Sequence, residues 1–125
     1  METPLYHAIK HNHLEAARLL LENGADADMV DGLHMAARKG NTDMACLLID
    51  YTTNIDERYG YARTPLYYAS VNGYFSIVRL LLEHGANPMI YTYKEDIATI
   101  IARRLGHYKI AKLLLSYIPI LTSDG

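Results

Sequence analysis

Apolar residues recur three and four positions apart in three segments of the chain, which is the spacing of one face of an α-helix. The segments begin at Leu14, Phe75 and Tyr108, and polar residues such as Arg18 and Arg79 fall between the apolar ones. The predicted stripes are Leu14, Ala17, Leu20 and Leu21; Phe75, Val78, Leu81 and Leu82; and Tyr108, Ala111, Leu114 and Leu115. Each segment is predicted to be an amphipathic helix with one buried face.

A second set of helices is marked by its start and stop signals. Thr3-Pro4 and Thr64-Pro65 have the N-cap residue and the proline that favour a first helical turn. Eight residues after each of these prolines stand Asn12 and Gly73, and Gly40 and Gly106 have the same place in the two weaker copies. These residue types adopt the left-handed conformation that ends a helix. A short helix is therefore predicted before each amphipathic one, with a tight turn between them.

The pairs of helices belong to four copies of one phrase. Its clearest forms are Thr3-Pro4-Leu5-Tyr6-His7-Ala8 and Thr64-Pro65-Leu66-Tyr67-Tyr68-Ala69, and Leu33-His34-Met35-Ala36-Ala37 is a weaker one. The chain resembles the ankyrin repeat family. The resemblance implies an all-α solenoid of helix-turn-helix units joined by short β-turn or hairpin fingers, with repeats at about 3–30, 31–63, 64–96 and 97–117 and a tail at 118–125.

Repeat spacing and the chain end modify this picture. Copies two to four are 33 residues apart, but Asp31 follows Thr3 by only 28, so the finger between repeats one and two is predicted to be truncated. Arg103 replaces the small residue found at Ala37 and Ser70, which indicates an end cap. Ile118-Pro119-Ile120-Leu121 is expected to pack on the last repeat, with self-association as the alternative.

Composition favours one soluble domain. The chain has 125 residues, 50% of them hydrophobic, without the run of about 18 apolar residues that a membrane helix needs. Met1-Glu2-Thr3-Pro4 does not resemble a secretory signal. Cys46 is the single cysteine. We therefore expect no intrachain disulfide and a location in the reducing cytosol or nucleus.

Candidate catalytic and metal-binding residues are few. His7 and His11 are four apart on one predicted helix, with His13 nearby, which is a spacing that can hold a metal. The resemblance instead implies that His7 and His11 are partner contacts. No phosphate-binding glycine motif or zinc-hydrolase motif occurs. We predict that the protein is not an enzyme and binds no metal or cofactor. The resemblance also implies a structural role for His34, and we expect its hydrogen-bond partner to be Asp31.

Ankyrin proteins usually meet their partners with the concave side, at the fingers and first helices. Five of the eight exposed positions that end the first helices are Lys, Arg or His, although the whole chain has a net charge of −2. The fingers add tyrosines and basic residues, together with Glu57, Glu95 and Asp96. Predicted partner-binding residues are His7, Lys10, His11, Met35, Arg38, Lys39, Arg58, Tyr59, Tyr61, Arg63, Tyr68, Asn72, Tyr91, Tyr93, Lys94 and Arg104.

Tyrosine and arginine are common at protein interfaces, and basic side chains attract acids. The sequence therefore predicts a monomeric protein-binding module, an inhibitor or adaptor, for an acidic or phosphorylated segment of another protein. The alternative is that the same surface binds nucleic acid. The sequence pI of about 6.3 and the lack of a known nucleic-acid-binding motif disfavour this alternative.

Overall fold

The computed structural model of the chain describes residues 3–29 and 31–118. Within that part the elements are eight α-helices and one 3₁₀ helix, Ala27–Met29. The α-helices are α1 (Pro4–Lys10), α2 (Leu14–Glu22), α3 (Gly32–Lys39), α4 (Thr42–Ile49), α5 (Pro65–Asn72), α6 (Phe75–Glu83), α7 (Ala98–Arg104) and α8 (Tyr108–Ser116).

The helices form four antiparallel pairs that stack into two layers. The first helices, α1, α3, α5 and α7, pack side by side in chain order, and the second helices, α2, α4, α6 and α8, do the same behind them. Each pair shares one core with its neighbours, because a single pair has too little apolar surface to bury by itself. The predicted all-α repeat stack is confirmed.

Local signals begin and end these helices as predicted. The hydroxyl oxygens of Thr3 and Thr64 accept hydrogen bonds from the backbone N–H groups of Tyr6 and Tyr67, at 3.0 and 3.1 Å. At the other end of the first helices, Asn12 has a φ of 56°, and Gly40 and Gly73 both have a φ of 79°. The chain can therefore reverse within two or three residues and start the second helix.

The buried face of the second helices differs from the predicted stripe at its ends. Val78, Leu81 and Leu114 are buried as predicted, but Phe75, Tyr108 and Leu115 are 38%, 71% and 49% exposed. Ile77 and Ile110 are buried instead. Leu115 is exposed because it lies in the last helix pair, whereas its counterparts Leu21 and Leu82 are both 3% exposed. For Phe75 and Tyr108 the reason is that α4, α6 and α8 contact the preceding repeat as well as their own first helices, and this extra contact rotates the buried face.

Two long fingers and one short connection join the four pairs. In finger two (residues 50–64) Tyr59 and Arg63 exchange two backbone hydrogen bonds of 2.8 and 2.7 Å. In finger three (residues 84–97) the backbone N–H of Thr92 donates to the carbonyl of Asp96 at 2.9 Å. Residues 23–31 contain only the 3₁₀ turn among their described members, which agrees with the truncated first finger.

Two further expectations concern membrane spans and the tail. Within residues 3–29 and 31–118, no helix has both the length and the apolar character needed to cross a bilayer.

The prediction that the tail packs on the last repeat concerns mainly Pro119, Ile120 and Leu121, which lie outside the described residues.

Candidate functional site

Most of the predicted partner-binding residues lie on one connected surface, which we call the finger–helix surface. It consists of fingers two and three and the C-terminal ends of α1, α3, α5 and α7. Lys39 Nζ donates to the carbonyl of Lys10 at 2.8 Å, and Asn72 Nδ2 donates to the carbonyl of Arg38 at 3.3 Å. The ends of α1, α3 and α5 are therefore held in one continuous row across three repeats.

Tyr68 joins this row to finger two. The Arg38 guanidinium carbon lies 5.5 Å from the centre of the Tyr68 ring, close enough for a cation–π interaction. The His34 ring packs edge-on against Tyr68 at 6.1 Å. The hydroxyl of Tyr68 reaches the tip of finger two, since a Cβ atom on Gly60 would be 3.4 Å from it. Tyr68 is half-buried and links the helix row to the finger.

Arg63 is held between two tyrosine rings at the base of finger two. Its guanidinium carbon lies 5.3 Å from the centre of the Tyr61 ring and 5.5 Å from that of Tyr67. The side chain is half-buried, and its Nε atom is buried without a hydrogen-bond partner. The rings therefore fix the position of this charge, while Tyr61 covers it from outside.

The tip of finger two has an unusual backbone. Tyr61 and Ala62 have φ angles of 55° and 62°, in the left-handed region that side chains with a Cβ atom disfavour. The Tyr59–Arg63 pairing closes the tip, and the N–H of Tyr93 donates to the carbonyl of Tyr61 at 3.1 Å. These bonds hold a conformation in which the Tyr61 side chain is 64% exposed.

Arg58 joins the two fingers. One of its terminal nitrogens donates to the carbonyl of Tyr91 at 2.7 Å, and its Nε donates to the carbonyl of Ala62 at 3.4 Å. Tyr91 and Tyr93 are 52% and 75% exposed in finger three. Arg58 therefore fixes the spacing between exposed tyrosines on neighbouring fingers, in addition to adding charge.

Asp96 is removed from the surface, although it is one of the three acids predicted in the fingers. Its side chain is buried and accepts hydrogen bonds from the hydroxyls of Tyr67 and Thr92. Burial, and next the bond to Asp96, raises the pKa of the Tyr67 phenol. Glu57 and Glu95 stay exposed. Because Asp96 is buried, the described surface exposes one negative charge fewer than the sequence of the fingers predicts.

His34 has a structural place, but its predicted bond to Asp31 is wrong. The Nε2 atom donates to the backbone carbonyl of Glu57 in finger two, and the ring packs against Tyr59 with centres 4.3 Å apart. Finger two covers the ring, which leaves it 3% exposed. Sequence reasoning chose the nearest acid, whereas the stacking of repeats supplies a backbone acceptor 23 residues away.

The pKa of His34 predicts how stability depends on pH. Burial lowers this pKa below 6.5, and this effect outweighs the opposing hydrogen bond to Glu57 and the charge of Asp31. The unfolded chain therefore binds more protons below about pH 6.5, so stability is full above that pH and falls below it. Urea unfolding at several pH values should show this fall in the wild type. His34→Gln should have a flatter profile, and an identical profile would contradict the assignment.

Exposure separates the remaining predicted contacts. Met35 is wrong as a surface contact, because it is 3% exposed and packs in the core between neighbouring first helices. Tyr59 is exposed as well as packed on His34. The other exposed members of the predicted set are His7, Lys10, His11, Arg38, Lys39, Arg58, Tyr61, Asn72, Tyr91, Tyr93, Lys94 and Arg104.

The histidine cluster sits at the start of the finger–helix surface. The rings of His7 and His11 stack with centres 6.0 Å apart, and His11 and His13 are separated by the same distance. Among residues that the structure describes, no group of three or more His, Cys, Asp or Glu side chains is placed to hold a metal ion. Cys46 is exposed on α4.

Sequence reasoning missed two aspartates that position the fingers. The carboxylate of Asp28 accepts bonds from the backbone N–H and the hydroxyl of Thr53, at 3.1 and 2.8 Å. The carboxylate of Asp56 accepts one from the backbone N–H of Asn87 at 3.0 Å. Both occupy the same repeat position, 28 residues apart, and that recurrence was the available signal.

Comparisons with known proteins agree with this architecture. A family model described as ankyrin repeats (3 copies) matches residues 33–124, and one described as ankyrin repeats (many copies) matches residues 5–49. An ankyrin repeat protein of Acanthamoeba polyphaga mimivirus is 33% identical over 91% of this chain. The ankyrin repeat protein nuc-2 of Neurospora crassa is 36% identical over 89% of it. The chain spans only 16% and 11% of the length of these two relatives.

Proposed function

This chain belongs to the ankyrin repeat family, and we propose that it is a noncatalytic module that binds an acidic or phosphorylated segment of another protein on its finger–helix surface. The ankyrin repeat is a protein-interaction fold. One observation carries the proposal: the aromatic and basic side chains of this surface are held in place by the protein itself. Arg38 packs on Tyr68, and Arg63 is clamped between two tyrosine rings.

Fixed side chains favour binding because little conformational freedom is lost when the partner arrives. The exposed rings of Tyr61, Tyr91 and Tyr93 offer apolar contact area, and their hydroxyls offer hydrogen bonds. Arg58 and the bond from Tyr93 to Tyr61 keep the two fingers in register. The surface therefore presents its contacts as one preformed array.

Charge supports an acidic partner. Lys10, Arg38, Lys39 and Arg104 are exposed along the ends of the first helices, and Lys94 is exposed in finger three. The burial of Asp96 removes one of the opposing acids. Basic groups of this kind raise the association rate with acidic segments and discriminate against basic ones.

The biological role that we propose is that of an inhibitor or adaptor, in which occupation of the partner is itself the activity. A reducing compartment, the cytosol or nucleus, is the proposed location, because Cys46 is an exposed unpaired thiol and the sequence has no second cysteine.

Selection from a library of random displayed peptides tests the partner class. We expect the recovered peptides to be enriched in Asp and Glu, and phosphorylated versions to bind more tightly. Charge reversal at Arg38 and Lys94 together should weaken their binding about tenfold, as two exposed charge pairs would. The matched control is Lys109→Glu, a reversal on the outer layer.

Neutral or basic selected peptides would contradict the proposal, as would equal binding to the double reversal and to the control. Displacement of the peptides by generic DNA or RNA at low salt, with a steep loss of binding as salt rises, would favour the nucleic-acid alternative instead.

A further inference from the structure

The last end of the stack exposes side chains whose counterparts inside the stack are buried. Ile100 on α7 and Leu115 on α8 are 42% and 49% exposed. One repeat earlier, the same positions are Tyr67 and Leu82, which are 6% and 3% exposed because the following repeat covers them. Repeat four therefore keeps an apolar surface of the kind that receives another repeat.

The first end shows the complementary pattern. Leu19 on α2 is 58% exposed, and Ala16 beside it is exposed too. Their counterparts on α4 are Leu47 and Met44, which are 9% and 0% exposed because they pack on the preceding repeat. Repeat one thus carries the residues that dock on a preceding repeat.

Gly106 in repeat four has the position of two glycines that contact an aromatic ring of the following repeat. A Cβ atom on Gly40 would lie 2.8 Å from the ring of Tyr74, and one on Gly73 would lie 2.8 Å from the ring of His107, so each ring packs on the preceding repeat's glycine. Gly106 is the next member of this series, and a Cβ there would meet nothing within 4 Å. In repeat one, the exposed His13 has the position of these rings.

Charge along the outer helices matches between the two ends. The groove between α2 and α4 is lined by Arg18 from repeat one and by Asp43 and Asp50 from repeat two. At the last end, Lys112 occupies the position of Arg18. At the first end, Glu15 and Glu22 occupy the positions of Asp43 and Asp50. The basic residue of the junction between repeats one and two thus has its counterpart at the last end of the stack, and the two acids have theirs at the first end.

The same polarity holds for whole repeats. Residues 97–117 contain four Lys or Arg residues and no Asp or Glu, whereas residues 3–30 contain four Asp or Glu residues and two Lys or Arg. We propose that repeat four of one copy stacks on repeat one of a second copy, with His13 on Gly106 and with Glu15 and Glu22 facing Lys112.

Arg103 sets the strength of this contact. Its counterparts Ala37 and Ser70 are fully buried against the next repeat, and a second copy would have to accommodate a guanidinium there. Burial of an unpaired charge opposes association. The stacking is therefore weak and becomes populated at high concentration, and Arg103→Ala should strengthen it.

Sedimentation velocity over a wide concentration series at low salt tests the stacking. The contact is head-to-tail and does not close on itself, so the weight-average mass should rise past that of a dimer. Lys112→Glu should weaken association about tenfold, because it replaces attraction by repulsion in an exposed cluster. Lys109→Glu is the matched control, since Lys109 has the repeat position of Asp43, which meets the preceding repeat at the α2–α4 junction, whereas Lys112 has the position of Arg18, which meets the following one.

A charge exchange makes the test specific. The Glu15→Lys/Glu22→Lys double variant should also lose association alone, because both of its ends are then basic. Mixed with Lys112→Glu, whose ends are both acidic, it should form alternating stacks and regain the wild-type mass distribution. Circular dichroism checks that the variants, all at exposed helix positions, stay folded.

Several results would overturn the proposal. These are a wild type of constant mass at every concentration, a plateau at the dimer, equal association of Lys112→Glu and Lys109→Glu, or no recovery on mixing. If residues 119–125 cover the last end in place of a second copy, the wild type stays monomeric and removal of those residues causes association, which also overturns it.

Discussion

Replacement of Leu81 with alanine is expected to lower the free energy of unfolding by about 2–5 kcal/mol. Leu81 lies on α6 and is 0% exposed, with Leu48 and Leu114 as the equally buried counterparts in the adjacent repeats. Truncation leaves a cavity among groups that already pack at crystal-like density. Because each repeat depends on its neighbours, the loss extends beyond α6 to both junctions of the third repeat.

Denaturant unfolding of Leu81→Ala measures this loss, and Leu19→Ala is the matched control. Leu19 has the same residue type on a second helix but is 58% exposed, so its truncation should change stability by less than about 0.5 kcal/mol. A loss below about 1 kcal/mol at Leu81, or equal losses at the two positions, would contradict the packing described for the stack.

Features set by nearby residues were the ones that the sequence predicted. The threonine and proline at the helix starts and the left-handed residues at Asn12 and Gly73 act within one repeat, and Leu81 was found because its apolar stripe recurs along the chain. Recurrence at fixed offsets then showed that the units stack. The confirmed parts of the fold need only local chemistry and the repeat itself.

Features set by neighbouring repeats were missed. Met35 and Asp96 are buried because other repeats or finger residues cover them. Leu115 is exposed because no described residue covers it. His34 donates to the backbone carbonyl of Glu57. Every residue has such a carbonyl, so the sequence could not identify this acceptor. The exposure of Met35 and Asp96 and the hydrogen-bond partner of His34 therefore could not be predicted from one repeat alone.

Replacement of Tyr61 with asparagine is expected to weaken partner binding by at least about 2 kcal/mol, or roughly thirtyfold, as loss of a central interface tyrosine does. Tyr61 is 64% exposed and packs on Arg63, so its removal takes away contact area and uncovers a fixed charge. Asparagine is chosen because it tolerates the φ of 55° at this position better than most residues.

Tyr68 is a less specific probe of binding. It is half-buried, packs against the core and contacts Arg38 and His34, so Tyr68→Ala would lower stability together with affinity. Tyr61→Asn avoids this ambiguity because its side chain lies at the finger tip. Its thermal unfolding should match that of the wild type.

The affinity of a library-selected acidic peptide for three proteins tests the central claim most directly: the wild type, Tyr61→Asn and Tyr108→Asn. Tyr108 is 71% exposed on the outer layer and matches Tyr61 in residue type and exposure. The expected result is a loss of roughly thirtyfold for Tyr61→Asn and unchanged affinity for Tyr108→Asn. Equal affinities for the two variants would show that the peptide does not bind the finger–helix surface.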